Sequence, residues 1–175
     1  MNEPPFSRPI RAVDVPAEGK RVEIVADERE RAALARDFGL LGIDRFGAAF
    51  DLARTRAGGL AVSGRLDADI RQTCVVTLDP FEAHVAEDID MVFLPEDAPG
   101  AEDAADEDVD VLVDGRADLG AVAAEFLALA LDPHPRKPGA VFEAVMDRES
   151  APVSPFSALG AVMAGNKPAD PTAEK

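Results

Sequence analysis

Few residues in this chain combine the type and spacing that chemistry needs. The chain holds one cysteine, Cys74, and two histidines, His84 and His134. A single cysteine excludes an internal disulfide and a zinc site built from cysteine clusters. Neither histidine belongs to a His-x-x-x-His pair or stands beside a glutamate, and no Gly-x-Ser-x-Gly elbow occurs. Gly58-Gly59 reads as a turn, not a phosphate-binding loop. Cys74 falls on the apolar parity of a strand, where a free thiol packs as a small hydrophobe; a reactive thiol would need exposure and a nearby cation or helix end. The remaining candidates bind by charge. Arg65 and Arg71 share the polar parity of one strand, and Arg136 and Lys137 sit on a stiff proline-rich run, so these four cations suit an RNA phosphate or an acidic surface. Glu102, Asp103, Asp106, Glu107 and Asp108 suit a basic partner. Their spacing does not match a twelve-residue calcium loop. No metal, cofactor or small-molecule substrate is expected.

Two helices and a set of strands must position these groups. Val22-Glu23-Ile24-Val25 alternates as a strand after a first extended piece within 5–26. Asp27 and Glu30 form a capping-box pattern that opens a helix ending at Gly39. Phe46–Thr55 alternates again. The clearest rhythm follows: Leu60, Val62, Leu66, Ala68, Ile70, Cys74, Val76 and Leu78 take even positions, and polar residues take most of the odd ones. Gly64 marks a bend or bulge in that long run. Asp79-Pro80 breaks it, and Phe81 to Phe93 continues with the opposite parity, as the second arm of a long antiparallel hairpin. Residues 96–108 have no apolar rhythm and read as a flexible acidic loop. Val109, Val111 and Val113 suggest one more strand. Asp118 caps a helix running to about Leu131, with an apolar stripe of Leu119, Val122, Phe126 and Leu129. Pro133 to Pro138 must be extended. A short apolar helix at Phe156–Met163 and a disordered tail at 165–175 complete the reading.

The composition fits one domain over residues 1–164. Hydrophobic residues make up 47% of the 175-residue chain, enough for a core, while aromatics are only 5%, with no Trp or Tyr. A stacking platform for single-stranded nucleic acid is therefore not expected. The N-terminus lacks the basic-then-apolar pattern of a secretory signal, and no apolar stretch is long enough to span a bilayer. A cytoplasmic α+β protein is expected, with two main helices on a mainly antiparallel sheet that either stays open or closes partly into a barrel. The net charge is −16, and residues 87–118 alone hold thirteen carboxylates against one arginine. Such a chain repels nucleic acid except where a local basic patch prevails, so a basic protein partner suits it better.

Three segments carry a family resemblance: Gln72–Pro80, Leu127–Pro135 and Ser154–Leu159. In that order and at those separations the chain resembles the YceD-like family of bacterial proteins, over roughly residues 6–163. Cys74, Thr77, Leu78 and Pro80 stand where that family has a Cys-x-x-Cys strand-turn, with Thr77 in place of the second cysteine, so a metal or redox role resting on a cysteine pair does not carry over. Pro133 and Pro135 match the proline-rich exit of the family's apolar helix. Pro155 and Phe156 match its C-terminal Pro-Phe element, here followed by Ala161, Val162 and Met163 instead of basic residues. The variant turn and the Pro-His-Pro-Arg-Lys-Pro run look like the alphaproteobacterial branch. The resemblance implies a non-enzymatic role in accumulation or maturation of 23S ribosomal RNA and assembly of the large subunit. The partner is then a ribosomal protein or pre-large-subunit particle, bound through the acidic segment. The alternative is direct contact with precursor rRNA through Arg65, Arg71, Arg136 and Lys137. A nuclease would need a metal site that the spacings do not provide.

Overall fold

Residues 4–98 and 109–141 are described by the structure, a computed structural model. The chain begins with β1 (Pro9–Arg11) and a single 3-10 turn at Ala12–Asp14, then β2 (Lys20–Val25) and α1 (Glu28–Asp37). Three long strands follow, β3 (Gly42–Arg54), β4 (Leu60–Thr73) and β5 (Pro80–Leu94); β6 (Val109–Val111), β7 (Arg116–Asp118) and α2 (Leu119–Ala130) complete the described part. Five strands form one sheet in the order β2-β3-β4-β5-β6, and β1 pairs with β7 in a separate two-stranded ribbon. Among the described residues only the β5–β6 pair is parallel.

The period-two pattern explains the sheet. Along β4, Leu60, Val62, Leu66, Ala68 and Ile70 are buried, and opposite them Phe46, Ala48, Phe50 and Leu52 of β3 and Ile89, Met91 and Phe93 of β5 complete the apolar face. At roughly 25 cal/mol per Å² of apolar surface removed from water, this shared face is the main source of stability. Both helices close over it in one continuous core that includes Leu34 and Ala35 of α1 and Leu119, Val122, Ala123 and Leu127 of α2. The capping box on α1 forms as expected: the Glu30 amide donates to Asp27 and the Asp27 amide donates to Glu30, both at 2.8 Å. Gly39 ends the helix with φ +67, a conformation that costs little without a side chain.

The N-terminal residues act as a strap. The Phe6 ring is fully buried 5.3 Å from that of Phe46, and the Arg8 guanidinium stacks over it at 4.7 Å. Arg8 also makes a bidentate pair with Glu30 at 2.8 and 2.9 Å. Hydrogen bonding from Arg8 holds the Glu30 carboxyl below its usual range, against the opposing effect of burial. A carboxyl lowered in this way adds stability above its unfolded pKa and loses it as the pH falls through the folded one. Asp118 joins the strap to α2. Its Oδ1 accepts from the Arg8, Gly120 and Ala121 amides at 2.6, 3.0 and 3.2 Å, and its Oδ2 accepts from the Ser7 hydroxyl at 2.5 Å. Gly120 is required beside this joint, because a Cβ there would meet the Phe6 carbonyl oxygen at 2.7 Å.

Several expectations need correction. The sheet is open: among the described residues no ladder joins β6 to β2, and β6 adds only three residues before the chain leaves to pair with β1. A barrel would require the two outer strands to bond along their lengths. Gly64 is not at a bulge. It stays in register with Phe50 and Ile89, and the register shift lies between Ile43 and Arg45. Glycine is needed at 64 because a Cβ would come within 2.3 Å of the Ala49 carbonyl oxygen. Strand β4 ends at Thr73, short of Cys74, Val76 and Leu78. Leu129 is 76% exposed instead of belonging to the α2 stripe: it lies one heptad beyond the buried Val122, on the same side, but in the last turn of α2, where that side is no longer covered. The acidic candidates at 102–108, Pro155, Phe156, the short helix at 156–163 and the 165–175 tail lie outside the described residues.

Candidate functional site

Asp79-Pro80 cannot continue a strand, so the chain between β4 and β5 must reverse, and the turn occupies residues 74–79. The Cys74 amide donates to the Asp79 carbonyl, and the Leu78 amide donates to the Cys74 carbonyl, each at 2.9 Å. The register leads directly from Thr73 to Pro80 across the hairpin. Cys74 is the one buried residue of this tight knuckle, and the turn from Thr77 to Asp79 is exposed throughout. Cys74 has no exposed surface, whereas Val75 is 47% and Leu78 76% exposed.

Leu78 adopts φ +60. For a residue with a Cβ the left-handed region costs about 1–2 kcal/mol. Glycine would relieve that strain at its own entropic cost, so Leu78→Gly is expected to stabilise the fold by about 0.5–1 kcal/mol in urea denaturation. A loss of stability would show that the Leu78 side chain holds the knuckle.

The proline-rich segment after α2 folds back onto this knuckle. The Val75 amide donates to the Pro135 carbonyl at 2.9 Å, and the Lys137 ammonium lies 3.8 Å from the Asp79 carboxylate. The Asp132 carboxylate accepts from the His134 amide at 2.8 Å and starts the turn that directs the chain there. Two segments about sixty positions apart in sequence thus form one surface. Beside it lies a cleft of about 470 Å³ between the end of α1, the end of β4 and the Leu131–Pro135 stretch.

The Cys74 thiol is pulled down to about 7. Hydrogen bonding from the Thr77 side chain is the largest cause, burial opposes it, and main-chain groups of Lys137, Thr77 and Val76 add to the lowering. Thr77, at the motif's second cysteine position, is thus the neighbour that most favours the thiolate. Because the folded pKa is depressed, the thiolate's contribution to stability is present above the unfolded thiol pKa and is lost as pH falls through about 7. Thermal stability relative to Cys74→Ala is expected to rise between pH 7 and about 9. Parallel pH profiles for the two proteins would reject this assignment.

Three of the four candidate cations hold a carboxylate. Arg65 pairs with Asp88 at 2.9 Å, Arg71 with Asp44 at 3.0 Å, and Lys137 with Asp79, while Arg136 has no ion pair among the described residues. Cross-strand pairing is general on the wet face of the sheet, where Arg45 holds Asp69 and Arg21 holds Asp51. His84 lies 2.8 Å from Asp69 and 3.6 Å from Asp67. Hydrogen bonds from His84 and then Arg45 hold the Asp69 carboxyl below its usual range. Among the described residues no group of three or more His, Cys, Asp or Glu side chains is placed to hold a metal ion. Sequence reasoning missed Arg11, Lys20 and Arg116, which line one groove; Arg11 and Arg116 meet only when β1 pairs with β7, and no local pattern signals that pairing.

No described helix is long and apolar enough to cross a membrane. No curated protein and no solved structure gives a significant match. One sequence family does match. Its description is "Large ribosomal RNA subunit accumulation protein YceD", and it covers residues 62–161, more than half of the chain. The matched span contains the knuckle, α2 and the proline-rich segment that folds onto the knuckle.

Proposed function

Since the chain belongs to the YceD family of large ribosomal RNA subunit accumulation proteins, we propose that it is a non-enzymatic cytoplasmic factor for assembly of the large ribosomal subunit. It supports 23S rRNA by binding a basic protein partner, a ribosomal protein or a pre-large-subunit particle, through its acidic segment. The observation that carries this reading is the charge distribution. The excess of carboxylates is concentrated in residues 87–118, while the cations on the wet face of the sheet are already paired. Basic ribosomal proteins complement such a surface, and the attraction raises the rate of encounter as well as affinity. Glu102, Asp103, Asp106, Glu107 and Asp108 are the proposed contacts.

Direct contact with precursor rRNA through Arg65, Arg71, Arg136 and Lys137 has less support. Three of these four cations hold a carboxylate of the same chain, and RNA would have to displace it. The two readings respond differently to one experiment. Cells depleted of the protein should lose 23S rRNA and large subunits selectively, with small subunits intact, in a sucrose-gradient profile; a normal profile would sink both readings. Complementation then separates them. Replacing the five acidic residues by their amides should abolish rescue, whereas Arg65→Gln with Arg71→Gln should leave it intact. The reverse result would favour direct RNA contact.

A further inference from the structure

A second charged surface lies away from the knuckle, and its sign is opposite to that of the chain. A groove of about 810 Å³ runs between the 7–11 stretch and the outer edge of β2. Arg8, Arg11, Lys20, Arg21 and Arg116 line it, against the carboxylates Asp14 and Glu23. Arg8 is engaged by Glu30, and Arg21 by Asp51 and Glu23. Arg11, Lys20 and Arg116 are exposed and have no ion pair among the described residues.

Two of these cations oppose each other. Arg11 and Arg116 are directly across the β1–β7 ribbon. The Leu119 amide bonds the Arg8 carbonyl and the Ala12 amide bonds the Gly115 carbonyl. Alternation along the ladder therefore makes Arg11 and Arg116 a pair without mutual hydrogen bonds, the kind in which side chains come closest. Like charges in that position are destabilising, and an anion between them would remove the penalty.

The wall formed by β2 offers more than charge. The Ala26 amide donates to the Phe46 carbonyl at 3.0 Å. The same alternation turns the main-chain groups of Lys20, Val22 and Ile24 toward β3 and those of Arg21, Glu23 and Val25 outward. The Val25 carbonyl accepts from Arg8 at 3.4 Å. The outward amides and carbonyls of Arg21 and Glu23 have no partner among the described residues. An open edge of this kind accepts an added strand, and the cations beside it select an acidic one. Nucleic acid could meet the cations but has no main-chain groups to match the edge, and the Phe6 ring is buried and unavailable for base stacking.

We propose that this groove docks an extended acidic peptide segment, which adds as a strand to the outer edge of β2 while Arg11, Lys20 and Arg116 hold its carboxylates. The test uses the purified full chain at low ionic strength and three fluorescent probes: a peptide alternating Glu and Thr, its Lys and Thr counterpart, and an oligouridine of equal length. The acidic peptide is expected to bind and the other two are not. Arg11→Glu with Arg116→Glu should weaken binding by about tenfold or more. Glu23→Pro should abolish it, because proline removes an outward donor and leaves the ladder to β3 intact. Amide exchange at Arg21 and Glu23 in the unmodified protein should slow when the peptide is added, which provides a readout independent of how the proline variant folds. Absence of peptide binding, unchanged exchange at both amides, or oligouridine binding that survives Glu23→Pro would each overturn the proposal. None of these outcomes depends on the ribosomal reading.

Discussion

Phe6→Ala is expected to destabilise the protein by about 3–5 kcal/mol, the range for removing a fully buried aromatic side chain. The ring has no exposed surface, contacts Phe46, and carries the Arg8 guanidinium on its face. Truncation removes the buried area and opens a void between the strap and Phe46 of β3, and the core relaxes into such a void only in part. It also removes the platform that aims Arg8 at Glu30. Against a typical total of about 5–15 kcal/mol, this is a large fraction. Urea denaturation would measure it, and Phe6→Leu should recover much of the loss by conserving volume. A cost below about 1 kcal/mol would show that the strap is not part of the core.

Asp118→Ala is the second large effect, expected to cost roughly 3 kcal/mol. This carboxylate does more than cap α2. Two of the amides it accepts belong to the helix, and the third is that of Arg8, with the Ser7 hydroxyl on its other oxygen. Loss of the cap alone accounts for about 1 kcal/mol, and the rest comes from half-buried donors left without an acceptor. Asp118→Asn keeps an acceptor at Oδ1, and its amide can donate to Ser7, so it should cost only about 1 kcal/mol. Equal losses in the two variants would mean that charge, rather than hydrogen-bond geometry, holds the joint.

Much of the fold could be read from local pattern. The alternation through Leu60–Ile70 located the buried face, and the Asp27/Glu30 pair and Asp118 located both helix starts, because these signals act within a few residues. Features decided at a distance could not be read. Cys74, Val76 and Leu78 continue the strand parity in the sequence, but the hydrogen bonds closing residues 74–79 end the strand earlier. Gly64 looks like a bend until the Ala49 carbonyl of the neighbouring strand is seen to need its space. Strand β7 is only three residues long, and its partner lies more than a hundred positions away. The knuckle side of the candidate site was visible as a motif. Its contact with Pro135, and the pairing of Arg65 and Arg71 with Asp88 and Asp44, were not, because both depend on which segments the sheet brings together.

The strap also has a consequence for how the chain is made. Its acceptor, Asp118, lies 110 residues after Arg8. At typical synthesis rates, the interval between their emergence from the ribosome is on the order of ten seconds. Strands β3, β4 and β5 form consecutive hairpins and can pair during that time, because their contacts close short loops. Ile10 cannot pair with Ala117 of β7, nor the Arg8 amide with Asp118, until the second half of the chain is available. The strap is therefore among the last elements to be fixed: until β7 and α2 arrive, Phe6 has Phe46 and Arg8 has Glu30, but the main-chain joint to Asp118 is missing.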